Sequence, residues 1–179
     1  MTSPGKTDPR YPTGRFTFDP ELSPEKRQRS IAAIRETPAA LRAAVKGLTA
    51  DQIETPYRDG GWSVRQVVHH VPESHMNAYI RFKLAMTEDN PTIKPYDEDG
   101  WVKLADIPRT PIETSLTLLE MLHARWVALL ETMTAADFER PLMHPEIGPI
   151  TLDRMLQTYA WHGPHHVAHI TSLRAQRGW

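Results

Sequence analysis

The chain has 179 residues, of which 40% are apolar, no cysteine, and a formal net charge of −1. The balanced charge argues against nucleic acid or anionic lipid as a partner, and the absence of cysteine excludes disulfides and thiolate metal ligands. No apolar run approaches the roughly 20 residues that a bilayer requires, and no signal-peptide pattern is present, so we expect one cytoplasmic domain over residues 1–179.

Proline and glycine are frequent at the N-terminus, where residues 1–22 show no helical periodicity and are predicted to form an extended arm. Ser23-Pro24 then places a capping residue before proline at the first helical position. Apolar residues follow at helical spacing, namely Ile31, Ile34, Leu41, Val45 and Leu48. Because Pro38 interrupts this pattern, we predict either one kinked helix or two short ones, ending near Gly47.

A second helix is predicted from Ser63, because Gln66 three residues later completes a capping box after a glycine-rich turn. Its apolar periodicity extends to about Glu88, with a bend expected at Pro72. Residues 89–109 are rich in proline, aspartate and glycine, and they are predicted to form a long connection that could hold Tyr96 and Trp101 over another part of the protein.

Two further helices are predicted in the C-terminal half of the chain. Thr110 and Glu113 have capping-box spacing before one apolar stripe, and Thr151 precedes another that extends to Leu173. The intervening loop carries His144, and no segment shows the alternation expected of a strand. Four long helices with a long connection indicate an all-α bundle, in which metal sites are built from side chains on facing helices.

Histidine is clustered in two windows, one on the second predicted helix and one on the fourth. The windows contain His69, His70, His75, His162, His165, His166 and His169. The fourth helix holds two pairs with i, i+4 spacing, 162 with 166 and 165 with 169, and such a pair can bind one ion at ~2.1 Å. A third ligand would come from His69 or His70, and the apolar periodicity favours His70 without excluding His69.

A site of three neutral imidazoles leaves a divalent ion with open coordination positions, as in catalytic zinc sites. A water molecule bound there loses a proton near pH ~7 and becomes a nucleophile for hydrolysis. A lone histidine in a bundle is more often a hydrogen-bonded core or surface residue, but two pairs and a second window together favour a metal site.

Other polar residues are candidates for supporting roles. His144 is a candidate ligand or proton shuttle, although an exposed loop histidine explains it as simply. Glu73 is a candidate base, or a hydrogen-bond acceptor for a ligand's second ring nitrogen. Asn77 and Arg81 follow Glu73 at four-residue spacing on the same helix face, and they are candidates for contact with a polar substrate. For Glu73, Asn77 and Arg81 the alternative is a solvated helix face.

Three segments closely resemble the YfiT branch of the DinB/YfiT superfamily. They are Gly61-Trp62-Ser63 through His69-His70, Ser74-His75 through Lys83, and Tyr159-Ala160-Trp161-His162 through Ile170. The resemblance implies a four-helix bundle with long crossing connections, a homodimer, and three histidines that hold one zinc or nickel ion. It places the ligands at His70, eight positions after Trp62, and at His162 and His166, which follow Trp161.

The resemblance also implies a function. Members of this branch are described as metal-dependent hydrolases, and we expect a small-molecule substrate whose identity the sequence does not reveal. Related bundles are metal-dependent thiol transferases that act with a low-molecular-weight thiol such as bacillithiol, and a metal-binding protein without catalysis is a third alternative. Pro72 and Gly163-Pro164 depart from the ordinary helix formers expected at these positions.

Overall fold

The computed structural model of the protein describes residues 8–179, so residues 1–7 of the predicted arm lie outside the described part. Residues 8–22 form turns and irregular backbone that lies against the last helix. The side-chain amide of Gln157 exchanges two hydrogen bonds of 2.9 Å with the backbone of Asp19. The indole of Trp161 donates to the carbonyl of Gly14 at 3.1 Å.

Helices dominate the described part of the chain, and two short strands join them. In chain order, the elements are α1 (Pro24–Val45), α2 (Ala50–Ile53), α3 (Val64–Thr87), α4 (Glu98–Trp101), α5 (Ile112–Thr132), α6 (Ala135–Phe138), β1 (Pro141–His144), β2 (Gly148–Thr151) and α7 (Leu152–Arg177). The four long helices α1, α3, α5 and α7 confirm the predicted four-helix bundle. Within residues 8–179, no helix has the length and apolar character needed to cross a membrane.

Three of the predicted helix starts are confirmed, because the capping side chains bind backbone amides. Ser23, Ser63 and Thr151 each accept a hydrogen bond from the amide three residues later, and Ser63 forms the complete capping box with Gln66. The helix predicted at Thr110–Glu113 is present, but the capping role predicted for Thr110 is wrong. Helix α5 begins at Ile112 with Pro111 as its N-cap, and no side chain caps it.

Helix α1 is one continuous helix through Pro38, which decides between the two predicted forms. Helices α3 and α7 also continue through a proline, Pro72 and Pro164 respectively.

The hairpin of β1 and β2 was not predicted, because the segment was interpreted as a loop. The strands are antiparallel, with Leu142 opposite Ile150 and His144 opposite Gly148. Each strand has only four residues and contains a proline, so apolar alternation is too short to identify. Gly148 has φ +78° at the turn, a conformation that glycine adopts without strain. Residues 91–93 run beside β1, where the Ile93 amide donates to the Met143 carbonyl.

Each long helix packs against two others, in the order α1, α7, α3, α5 around the bundle. Helices α1 and α3 are therefore diagonal to each other, and so are α5 and α7. The connections between these pairs cross an end of the bundle, as the predicted crossing connections require.

The buried core has two apolar clusters. One includes Ile34, Phe82, Trp126 and Leu156, and the other includes Leu41, Val68, Leu119 and Ile170. Between these clusters, each long helix contributes buried or half-buried polar residues, which are Thr37, Ser74, His75, His123, His162 and His166. A polar layer that consists mainly of histidine thus divides the bundle core.

Candidate functional site

Three histidines on facing helices converge in this polar layer. Nε2 of His162 lies 3.3 Å from Nε2 of His70 and 3.2 Å from Nε2 of His166. One ring nitrogen from each residue can be chosen so that all three atoms lie within 4.8 Å of one another. His162 and His166 are one turn apart on α7, and His70 faces them from α3. We call these residues the three site histidines.

A close contact between helices α1 and α7 lies beside the site. A Cβ atom at Gly163 would lie 2.6 Å from Cγ2 of Thr37 and also overlap its hydroxyl. Only glycine therefore allows α7 to approach α1 this closely at the turn that carries His162. The neighbouring Pro164 is exposed, so its ring occupies no space in the core.

The alternative histidines that the spacing left open make their main contacts with other residues. His69 faces α5, where its Nδ1 is 2.6 Å from the hydroxyl of Ser115. His165 stacks on Trp161 with ring centroids 4.2 Å apart, and His169 stacks on Tyr57 at 4.0 Å. The structure thus brings together His70, His162 and His166, and His69 is not part of that cluster.

Two histidines for which the sequence suggested no role extend the cluster into the core. Nε2 of His75 lies 3.0 Å from Nδ1 of His162, and Nδ1 of His75 lies 2.8 Å from Nε2 of His123. His123 is the one histidine on α5. Its place in the apolar stripe, between Leu119 and Trp126 at helical spacing, was the available signal that it is buried.

Burial keeps these imidazoles in their neutral form. It lowers the pKa of His70 to about 4. Burial, and then the neighbouring histidines, hold the pKa values of His162 and His166 well below the usual range. Among residues 8–179, no carboxylate forms a hydrogen bond with any of the three site histidines. The rings therefore carry the lone pairs that a metal ion needs at neutral pH.

Glu73 does not support a site histidine in the way the sequence suggested. One of its carboxylate oxygens is buried without a hydrogen-bond partner, and Nδ1 of His70 also has none. Burial raises the pKa of Glu73. Asn77, one helical turn after Glu73, donates to the backbone carbonyl of Glu73 at 3.0 Å.

A cleft of about 420 Å³ lies next to the cluster, and Trp62 both lines the cleft and contacts His70. The Trp62 ring is 4.6 Å from that of His70, and its indole donates to Asp99 at 2.9 Å. The cleft is lined by Trp62, Arg81, Pro95, Tyr96, Asp97, Glu98, Asp99, His144 and Glu146. Its walls thus come from α3, the connection 89–109 and the hairpin.

Two of the polar residues considered from sequence line this cleft. Arg81 donates to the carbonyl of Lys94 at 3.0 Å, so its side chain spans toward the connection. His144 ends strand β1 rather than lying in a loop, and its Nδ1 accepts from the Glu146 amide at 3.2 Å. His144 is not part of the three-histidine cluster.

Comparison with known proteins gives consistent matches over nearly the whole chain. The sequence profile of the DinB superfamily matches residues 33–170. A protein of Bacillus mycoides (strain KBAB4), named "Putative metal-dependent hydrolase", is 52% identical over 172 residues, which is 96% of this chain and 99% of the relative. A Bacillus anthracis protein with the same description is 51% identical over the same length.

A solved structure has the same fold. YfiT from Bacillus subtilis superposes with a TM-score of 0.94 at 48% sequence identity, covering 97% of this chain and 99% of that chain. It is described as "a probable metal-dependent hydrolase with an unusual four-helix bundle topology". In this chain, the diagonal placement of α1 and α3, and of α5 and α7, gives a bundle with crossing connections.

Proposed function

The chain belongs to the DinB superfamily, and we propose that it is a metal-dependent hydrolase of a small-molecule substrate. In this proposal His70, His162 and His166 hold one divalent ion, either zinc or nickel. The observation that carries the proposal is the convergence of three Nε2 atoms from two facing helices. We expect the enzyme to act in the cytoplasm, and the family resemblance implies a homodimer.

Two of the three distances between the donor atoms are compatible with tetrahedral coordination of one ion. Bonds of about 2.0–2.1 Å from metal to imidazole nitrogen separate tetrahedral ligands by roughly 3.3–3.4 Å. The distances from Nε2 of His162 to Nε2 of His70 and of His166 are 3.3 and 3.2 Å. Neutral imidazoles suit both zinc and nickel, so the donor set favours these ions over calcium or magnesium.

The group that could hold an ion contains only three histidines among the described residues, which leaves room for a non-protein ligand. When bound, the ion would lower the pKa of a water molecule beside it and so supply a nucleophile at neutral pH. Trp62 covers one side of the cluster and lines the cleft. Arg81 and His144 line the same cleft, so they would bind and orient polar groups of the substrate.

A substrate screen tests the function. The metal-loaded protein would be assayed against esters, amides and phosphoesters, and in parallel for conjugation of a low-molecular-weight thiol to an electrophile. We expect hydrolysis that is lost in His162→Ala and retained in His69→Phe, a buried histidine outside the site. Thiol conjugation without hydrolysis would replace the proposal with a transferase. Inactivity in every assay would favour a non-catalytic metal-binding protein.

A further inference from the structure

A row of buried histidine rings leads from the site across the core to helix α1. We call His162, His75 and His123 the histidine row. His162 and His75 are joined by a nitrogen–nitrogen distance of 3.0 Å, and His75 and His123 by one of 2.8 Å. Nδ1 of His123 then lies 2.6 Å from the carbonyl oxygen of Ile34. His75 is fully buried and His123 is 2% exposed, so the row connects four helices inside the core.

The carbonyl at the end of the row determines where each proton lies. A carbonyl oxygen can only accept, so His123 donates from Nδ1, and its neutral ring has a lone pair at Nε2. His75 must then donate to that lone pair from Nδ1 and accept at its own Nε2. His162 must in turn donate from Nδ1. Its remaining nitrogen, Nε2, carries a lone pair and faces the other two site histidines.

We propose that His75 and His123 are positioning residues that hold His162 in its Nδ1–H tautomer, with the Nε2 lone pair directed at the metal ion. The inference rests on the proposed metal site, although neither residue would touch the ion. A ligand histidine commonly has its second nitrogen bound by a carboxylate or a carbonyl, which fixes the tautomer and the ring orientation. In this protein the backbone carbonyl of Ile34 would fix the tautomer of His162 through two further histidines, His123 and His75.

The packing around His75 holds its ring in place. The rings of His75 and His123 meet edge to edge through their hydrogen bond, with centroids 4.9 Å apart and an angle of 15° between their planes. Trp126 and Tyr159 meet the His75 ring edge-on at 5.9 and 5.1 Å. Apolar side chains would fill this space without the cost of burying polar groups. Filling the core therefore does not explain two histidines, whereas a fixed proton order does.

The contacts of His166, the second ligand on α7, are compatible with the same order of protons over a shorter path. Nε2 of His169 lies 3.4 Å from the carbonyl oxygen of Arg10, and its Nδ1 lies 3.4 Å from Nδ1 of His166. If His169 donates to that carbonyl, it accepts from Nδ1 of His166, and Nε2 of His166 keeps its lone pair. Both ligands on α7 are thus presented through Nε2, although these contacts are longer than those of the histidine row.

Metal titration of the apoprotein tests the role of the row. His123→Phe leaves Nδ1 of His75 without an acceptor, so His75 can change to the tautomer that is protonated on Nε2. His75 would then donate to Nδ1 of His162, and the proton of His162 would have to lie on its Nε2. We expect zinc affinity, measured by competition with a chelator, to fall about 10–100-fold. His123→Gln keeps an acceptor for His75 and should recover most of that affinity. His69→Phe removes a buried histidine of α3 outside the row and should bind zinc like the wild type.

Ring-nitrogen NMR of the apoprotein provides a readout independent of metal and of activity. We expect His162, His75 and His123 to carry their protons on Nδ1 at pH 7.5, and His162 to lose this preference in His123→Phe. A wild-type His162 protonated on Nε2, or unchanged zinc affinity in His123→Phe, would overturn the proposal. If the wild type bound no zinc, the proposed function would fail separately, because the NMR spectrum still decides the proton order.

Discussion

Neutral histidines in the polar layer give the site its chemistry, and burial is the reason that they are neutral. Burial lowers the pKa of His123 to about 4, despite the opposing effect of its hydrogen bond to the Ile34 carbonyl. The same cause lowers the pKa of His70 to about 4. These rings therefore need no metal to remain deprotonated at pH 7, and the apoprotein already presents lone pairs.

The neutral histidines make the apoprotein sensitive to acid. An unfolded histidine has a pKa near 6.5, so below this value the unfolded chain binds more protons than the folded one. The free energy of unfolding should be highest above pH 6.5 and fall as the pH decreases toward 4. For His123 the slope approaches about 1.4 kcal/mol per pH unit.

Urea denaturation of the apoprotein between pH 8 and pH 4.5 measures this dependence. The variant His123→Phe should show a shallower slope than the wild type, whatever its stability at pH 8. Equal slopes in the two proteins would mean that His123 is not held neutral by the fold.

The sequence was informative about the individual ligands but not about the residues that bind the ligands' second ring nitrogens. Spacing identified the pairs on α7, and the family resemblance selected His162, His166 and His70 among neighbouring histidines. His75 and His123 are 48 positions apart. Their contact depends on how α3 packs against α5, which local periodicity does not encode.

At the scale of elements, the close approach of α1 and α7 positions two of the three site histidines. Gly163 leaves room for Thr37, which is 2% exposed and whose hydroxyl donates to the Ala33 carbonyl at 2.8 Å. The sequence showed Gly163-Pro164 only as a departure from ordinary helix formers. The structure gives the glycine a reason, which is contact between helices rather than backbone freedom.

Gly163→Ala should destabilise the apoprotein in spite of the better helix propensity of alanine. The added methyl group would overlap the side chain of Thr37. We expect a net loss of about 1–2 kcal/mol in the free energy of unfolding, measured by urea denaturation.

A double-mutant cycle separates this overlap from other effects of the substitution. In a Thr37→Ala background the overlapping atoms are absent, so Gly163→Ala should cost less than half as much. The same cost in both backgrounds would contradict the packing explanation.

The start of a helix could be predicted where a side chain caps it. The bounds of a helix or strand could not be predicted where tertiary contacts determine them. Ser23, Ser63 and Thr151 cap their helices as the sequence indicates. The hairpin formed by β1 and β2 owes part of its order to residues 91–93, which run beside β1. The cleft beside the site is lined by the hairpin, residues 95–99 and residues in and just before α3, so its shape depends on tertiary contacts that a local pattern does not encode.

In the whole molecule, the polar layer lies between two apolar clusters and joins all four long helices. The three site histidines belong to α3 and α7, which are neighbours in the bundle although they are distant in sequence. The two histidine windows suggested that these helices face each other, but periodicity predicts helices and not their order around a bundle.

Zinc should stabilise the folded bundle, because its ligands come from two helices and converge only in the native state. At a free zinc concentration 100 times the Kd, the gain is about 2.7 kcal/mol. For a chain of this size, this corresponds to a rise in Tm of roughly 5–10 °C. Differential scanning calorimetry should show the rise in the wild type and not in His70→Ala. A similar rise in both proteins would place the bound zinc elsewhere.

Elemental analysis of the purified protein tests the central claim most directly. The wild type should contain about one equivalent of zinc or nickel per chain, and His162→Ala should contain almost none. His144→Ala removes a histidine of the cleft that lies outside the cluster, and it should retain the wild-type amount. Equal metal content in the wild type and His162→Ala would contradict the three-histidine site.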